Sequence, residues 1–292
     1  MATSSQWLEG ARVRTLPAAV SPVLAGSGIA AFEGAFSLPL ALLCMVVALA
    51  LQVGVNYAND YSDGIRGTDA DRVGPMRLVG SGAATPGSVK AAAFASFGVA
   101  ALAGLGLVLL TQLWWLLAVG VAAIAAAWFY TGGRRPYGYL GLGELFVFVF
   151  FGLIAVGGTV LVQVGHTTAA TWAAAVAIGA LACAILVANN LRDLRGDAAV
   201  GKRTLATRLG DLGTRWFFTG LVVVALAGVV VVALLTTRWA LLGLLAVILL
   251  AGPVRLVLLG GTGRALIKVL KLVGLGELAT AAGMALGLLI GG

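Results

Sequence analysis

About nine apolar stretches, each near the 20 residues needed to cross roughly 30 Å of hydrocarbon, leave this chain few folds other than a helical bundle in a membrane. They fall near residues 15–33, 37–59, 89–111, 114–131, 142–164, 170–191, 214–236, 239–257 and 272–290, separated by charged or Gly/Pro-rich joints. A backbone in lipid has to pair its own N–H and C=O groups, which only helices and closed barrels do. Runs of this length rich in Ala, Leu, Val and Gly read as helices, because barrel strands are shorter and alternate in polarity. Composition agrees, with 61% hydrophobic and 10% charged residues among 292 and a mean hydropathy of +1.05. The expected architecture is all-α and polytopic, in one domain covering residues 1–292.

The basic residues set an orientation, since Lys and Arg are retained on the cytoplasmic side. With the N-terminus inside, Arg12 and Arg14, Arg66 to Lys90, Arg134 and Arg135, Arg192 to Arg215, and Arg255 to Lys271 are all cytoplasmic; of the 19 Lys and Arg only Arg238 falls outside. An added or missing span would scatter the later charges, so the asymmetry supports the span count and places the C-terminus outside. Pro17 and Pro22 interrupt the first apolar run, which favours an uncleaved first helix over a signal peptide. Trp7 and Leu8 ahead of it read as a short surface piece.

The net charge of +8 is thus mostly topology, and dispersed loop cations without a recognised module exclude nucleic-acid binding. Cys44 and Cys183 lie within spans and read as small apolar residues, while His166 sits in an outer loop with no ligand-type partner nearby.

Two polar islands break the apolar pattern: Asn56-Tyr-Ala-Asn-Asp60-Tyr-Ser-Asp63 and Asn189-Asn-Leu-Arg-Asp193-Leu-Arg-Gly-Asp197. Gln52, Asn56, Asp60 and Asp63 share one helix face, and Asn189, Asp193 and Asp197 follow at spacings of four. Asn56 and Asp60 recur as Asn189 and Asp193, 133 residues later. Four spans separate the copies, so helices 1–4 and 5–8 read as a parallel pseudo-repeat, with a ninth helix added and the islands facing across a central cavity. Each intramembrane charge costs about 2.5–3.5 kcal/mol at a helix centre and less near the interface. Salt bridges to Arg66, Arg192 or Arg195, or loop exposure, account for one isolated Asp; two matched sets in helical register favour a shared ligand. Hard divalent cations take oxygen ligands, and Mg²⁺ keeps waters and binds carboxylates together with substrate phosphate. Arg72, Arg77, Arg134, Arg135, Lys202 and Arg203 lie in the same loops and are candidate diphosphate-binding cations.

The run from Asn56 to Pro75, with its Asp-Gly, Gly-Thr-Asp and Gly-Pro steps, and Arg77-Leu-Val-Gly-Ser-Gly82 after it, resembles the first aspartate motif of the UbiA superfamily of intramembrane aromatic prenyltransferases. Within that family it is most similar to the 1,4-dihydroxy-2-naphthoate polyprenyltransferase branch. Arg14-Thr-Leu-Pro-Ala-Ala, Tyr130-Thr-Gly-Gly, Pro136-Tyr-Gly-Tyr-Leu-Gly-Leu-Gly-Glu144, Asn189 to Asp197 and Gly201-Lys-Arg-Thr-Leu-Ala agree with it. The resemblance spans about residues 12–210, and the last three helices match in hydropathy alone. First-motif acids are often four apart in the superfamily, whereas Asp60 and Asp63 are three apart here, with Asp69 and Asp71 following.

The resemblance implies a UbiA-like bundle that transfers a polyprenyl group from its diphosphate to 1,4-dihydroxy-2-naphthoate, releases the carboxyl group as CO₂ and gives demethylmenaquinone. It implies Mg²⁺ held by Asp60, Asp63, Asp193 and Asp197, with Asn56 and Asn189 supporting. Tyr57, Tyr61 and Tyr130 are candidates to face an allylic cation, and Arg14, Arg134 or Lys202 to hold the acceptor's carboxylate. A UbiA-type enzyme with another aromatic acceptor, such as 4-hydroxybenzoate or homogentisate, is the alternative. A transporter fits less well, because the polar groups crowd the cytoplasmic ends of the spans; Glu277, inside the ninth span, is the exception.

Overall fold

The computed structural model describes residues 2–67 and 76–292. Its secondary structure is helical throughout, with no strand among the described residues. The Trp7–Leu8 segment forms α1 (Ser4–Gly10), opened by a capping box in which Thr3 and Gln6 exchange side chain-to-backbone hydrogen bonds. A 3₁₀ turn, Val13–Thr15, leads into α2 (Leu16–Phe32), which continues through Pro22. Then come α3 (Leu38–Arg66), α4 (Pro86–Thr111) and α5 (Leu116–Phe129). The next span is composite: α6 (Gly143–Val147), a π-helical stretch over Phe148–Ile154 and α7 (Ala155–Val164). After α8 (Ala169–Ala199) and α9 (Leu205–Leu235), a 3₁₀ segment, Arg238–Ala246, runs into α10 (Val247–Leu258), and α11 (Arg264–Gly291) closes the chain.

Among the described residues eight helical segments are long and apolar enough to cross a membrane, and α5 is a shorter apolar ninth. The protein is therefore a multi-pass membrane protein. The expected span at 114–131 contracts to 14 residues, roughly 21 Å at 1.5 Å per residue, because Trp114–Trp115 turn at one end and the Thr131–Gly133 loop begins at the other. The onset of these loops, invisible to hydropathy, sets that boundary.

The most extensive helix pairings are α3 with α4 and α8 with α9. Small residues permit a close crossing where the π-helical stretch meets α8: a Cβ on Gly152 would stand 2.9 Å from Gly179 Cα and 2.7 Å from Ala175 O. One apolar core joins α8, α9, α10 and α11 through Leu181, Phe218, Leu250, Leu266 and Val273. Another, with Ile29, Val160, Ile178 and Met284, joins α2, α7, α8 and α11. These cores fix the rotation of α8 and α11 around a shared interior space, which α3 closes from the other side.

Candidate active site

That space is a cavity of about 1580 Å³, above the usual range for small-molecule sites. Its polar end is built from the C-terminal halves of α3 and α8. From α3 it is lined by Gln52, Asn56, Asn59 and Asp63. At about 100° per residue these four occupy an arc of roughly 60°, and Asp60 lies just beyond its edge. Asp60 is 1% exposed and does not line the cavity; its carboxylate accepts hydrogen bonds from the backbone amides of Leu78 (2.7 Å) and Val79 (3.0 Å). Asp63 takes the inward position. Its Oδ1 accepts from the Tyr139 hydroxyl at 2.6 Å and its Oδ2 from Arg77 Nη2 at 3.3 Å. Asn59 Oδ1 accepts from Thr131 Oγ1 at 2.7 Å. Asn56 donates through Nδ2 to Ala11 O and Thr15 Oγ1, both at 2.9 Å, tying α3 to the start of α2.

Across the cavity, α8 presents Asn189, Asn190, Asp193 and Asp197. Arg192 Nε and Nη2 grip Asp193 at 2.7 and 2.6 Å, and Nη2 also donates to Asn189 Oδ1 at 2.8 Å. Asn190 Nδ2 donates to Glu144 Oε1 at 2.9 Å. Lys202 Nζ stands 3.6 Å from Asp197 Oδ1 and 4.5 Å from the centre of the Tyr139 ring. The Arg203 amide donates to Tyr139 O at 3.0 Å, so the 137–140 turn is fastened to both acidic sides.

Aromatic rings form one wall. Tyr130 meets Tyr137 edge-on at 5.6 Å, and Tyr137 stacks on Phe146 at 4.0 Å. Burial first, then the charge of Glu144 and the neighbouring Tyr137, Asp63 and Asp197, pushes the Tyr130 phenol above the ordinary tyrosine range. Burial does the same for Tyr137. Beyond this wall the cavity turns apolar, along Val47, Ala48, Leu51, Leu107 and Ile154.

Comparison with known proteins identifies this arrangement. The profile of the UbiA prenyltransferase family matches residues 19–275. The chain belongs to that family. A relative from Mycobacterium tuberculosis, 1,4-dihydroxy-2-naphthoate octaprenyltransferase, is 55% identical over 98% of this chain and 97% of its own length. The protein of the same name from Escherichia coli is 38% identical over 86% of this chain and 84% of its own. Among solved structures, a UbiA homolog from Aeropyrum pernix superposes with a TM-score of 0.72 at 16% identity, covering 92% of this chain and 97% of that one. A UbiA homolog from Archaeoglobus fulgidus bound to GPP and Mg²⁺ gives 0.66 at 13% identity, covering 96% and 99%. At these identities the likeness establishes the shared fold.

In this UbiA-family cavity the expected residues separate into three groups. Asn56, Asp63, Asn189, Asp193, Asp197, Arg77, Lys202, Tyr130 and Arg14 line it. Asp60 does not, and neither do Tyr57 and Tyr61: Tyr57 donates to Trp7 O at 2.9 Å, and Tyr61 stacks on Trp128 at 5.9 Å, both away from the polar stripe of α3. Arg134, Arg135 and Arg203 are exposed outside the lining. Asp69, Asp71 and Arg72 lie outside the described residues. Asn59, Tyr139 and Asn190 were given no role from the sequence, whereas Arg192, one of the salt-bridge partners considered for an island Asp, does hold Asp193 and lines the cavity as well. The cavity-lining pairs are Asn59 with Asp63 and Asn189 with Asp193, each four apart and both 130 residues from their counterparts. That offset, rather than 133, superposes the cavity-lining pairs, and a search for Asn-x-x-x-Asp in both islands returns it alongside the Asn56–Asp60 match.

Among the described residues no three His, Cys, Asp or Glu side chains converge on one ion position. The donor chemistry still suits magnesium carried by a diphosphate. Asp63, Asp193 and Asp197 supply oxygen only, from two sides of one cavity, which fits an ion that keeps waters and phosphate ligands rather than a closed protein cage.

Proposed function

We propose that this membrane protein transfers a polyprenyl group from its diphosphate to 1,4-dihydroxy-2-naphthoate with loss of CO₂, yielding demethylmenaquinone at the hydroquinone level. The observation that carries this reading is the single cavity whose acid- and cation-lined end runs into an aromatic and then an apolar wall. The 55% identical relative supports the choice of acceptor, and the Archaeoglobus fulgidus homolog bound to GPP and Mg²⁺ supports the donor and the metal.

Asp63, Asp193 and Asp197 would hold Mg²⁺, with Asn59 and Asn189 beside them. When bound, Mg²⁺ neutralises charge developing on the departing diphosphate. Arg77, Arg192 and Lys202 stand where they donate charge-assisted hydrogen bonds to phosphate oxygens. The allylic C–O bond breaks with its electron pair on the diphosphate. A ring carbon supplies the pair for the new C–C bond, and the carboxylate's bonding pair returns to the ring as CO₂ leaves, so no net proton is taken up. Tyr130, Tyr137, Phe146 and Phe150 line the cavity beside the acids and would stabilise the allylic cation and keep water from it. The orientation argued from Lys and Arg puts this end of the cavity, and the N-terminus, on the cytoplasmic side of the cell membrane.

The test supplies purified protein with a polyprenyl diphosphate, Mg²⁺ and either 1,4-dihydroxy-2-naphthoate, 4-hydroxybenzoate or homogentisate. The expected product has the mass of the prenylated, decarboxylated naphthoate, formed only with divalent cation present. Product from another acceptor and none from the naphthoate refutes the assignment.

A further inference from the structure

The start of α11 carries Arg264, Lys268 and Lys271, and all three line the cavity. Their helix rotation is fixed from behind. Leu266, Val269 and Val273 are fully buried against α8, α9 and α10, and at about 100° per residue the three cations occupy an arc of roughly 60° directly opposite. Basic residues near helix ends ordinarily reach outward to headgroups, and retention of positive charge on one side explains their presence but not their aim. Arg134, Arg135, Arg195, Arg208 and Arg255 sit in comparable loops or helix ends and do not line the cavity. The α11 cations also differ from those already described. Arg77, Arg192 and Lys202 are each paired with a cavity carboxylate, whereas among the described residues none of Arg264, Lys268 and Lys271 is in an ion pair. α11 also packs against the Val13–Thr15 turn, whose Arg14 lines the cavity too. The remaining lining carboxylate, Glu9, accepts from the Met76 amide at 3.4 Å, so among the described residues the cavity has cations matched to the acids of α3 and α8 and, on α11, cations with no carboxylate paired to them.

A donor diphosphate brings its own metal and suits the matched side. An aromatic acid brings one carboxylate without metal and suits the other. We propose that Lys268 and Lys271 form the subsite for the acceptor's carboxylate and so select carboxylated aromatic acceptors; this rests on the prenyl-transfer reading above. Both are exposed on flexible four-carbon stems, so the contact orients the ring and still lets CO₂ depart.

The test uses Lys268→Gln, Lys271→Gln and the double variant in neutral-lipid nanodiscs, with thermal unfolding as a check on folding. In each single variant the KM for 1,4-dihydroxy-2-naphthoate should rise about tenfold, the scale of one lost charge-assisted hydrogen bond, with the KM for polyprenyl diphosphate unchanged. 1,4-Dihydroxynaphthalene, which lacks the carboxylate, should inhibit wild type and variants equally. If wild type turns over and the variants keep its acceptor KM, the subsite is refuted while the activity stands. If the defect appears only in discs containing anionic lipid, the cations serve headgroups and the subsite is likewise refuted. No turnover by wild type with any aromatic acid would remove the functional reading on which the subsite rests.

Discussion

Asp60→Asn and Asp63→Asn separate folding from metal binding, although the two acids are three residues apart. The Asp60 carboxylate caps two backbone amides in a site 1% exposed. An asparagine there keeps one acceptor oxygen and turns an NH₂ donor toward the other amide. One hydrogen bond to a charged group is lost, about 1.5–3 kcal/mol, and a buried N–H is left facing another donor, about 1–3 kcal/mol more. We expect a total near 3–5 kcal/mol, felt in the 76–84 segment that carries Arg77. Asp63→Asn removes a carboxylate from the cavity, but the substituted side chain keeps an amide oxygen that accepts from Tyr139, so its folding cost is small. The assay is thermal unfolding in detergent followed by Trp fluorescence, with a Mg²⁺ titration of initial rates below both midpoints. Asp60→Asn should lower the midpoint by many degrees and leave half-saturation by Mg²⁺ within about twofold of wild type. Asp63→Asn should keep the midpoint and need at least about tenfold more Mg²⁺. An Asp60→Asn protein with wild-type stability and a shifted Mg²⁺ response would refute the reasoning.

Three further outcomes follow from the contacts around the cavity and in the bundle. Tyr139→Phe removes the 2.6 Å bond to Asp63 and keeps the ring under Lys202, so kcat/KM for the diphosphate should fall about tenfold with little change in unfolding temperature; an unchanged kcat/KM excludes the contact. Glu277 is fully buried in α11, and neither carboxylate oxygen has a hydrogen-bond partner among the described residues, so Glu277→Leu should leave stability unchanged or raise it by about 1–3 kcal/mol. A fall in the unfolding midpoint would reveal a role that its surroundings do not show. Gly152→Ala forces a methyl against Gly179 and the Ala175 carbonyl, which should cost about 1–3 kcal/mol, measured by the same unfolding assay, whereas Gly158→Ala, with nothing within 4 Å of the added carbon, should be neutral.

The spans were legible because hydrocarbon thickness imposes one length on all of them, and the acid islands because charge in lipid is conspicuous. Which acid faces inward was not legible. Asn56 to Asp60 and Asn59 to Asp63 are both four-residue steps, and a helix of 3.6 residues per turn tolerates either stripe. What decides is the 76–79 segment, whose amides capture Asp60, a contact across some 18 residues that no local period encodes. The tyrosines are a different case: at about 100° per residue Tyr57 and Tyr61 lie roughly 130° and 170° around α3 from the polar stripe, against Trp7 and Trp128, so helix period alone sets them on its far side. Tyr139 and the α11 cations were missed differently, since a turn and a helix start look like ordinary loop chemistry until packing aims them.

The pairing of each island acid in the cavity with its own cation explains how the site tolerates these carboxylates before substrate arrives. Asp63 holds Arg77, Asp193 holds Arg192 and Asp197 holds Lys202. A part-buried carboxylate without a partner carries a desolvation cost that a close cation offsets. A magnesium diphosphate brings both signs at once. Its metal can replace the cations as partner to the acids, and its phosphate oxygens can replace the acids as partners to the cations, so the exchange strands no charge. Polyprenyl diphosphate without metal would draw the cations away and leave these three acids without them. The ion pairs present before binding therefore predict that donor and divalent cation bind together, without a preformed metal cage.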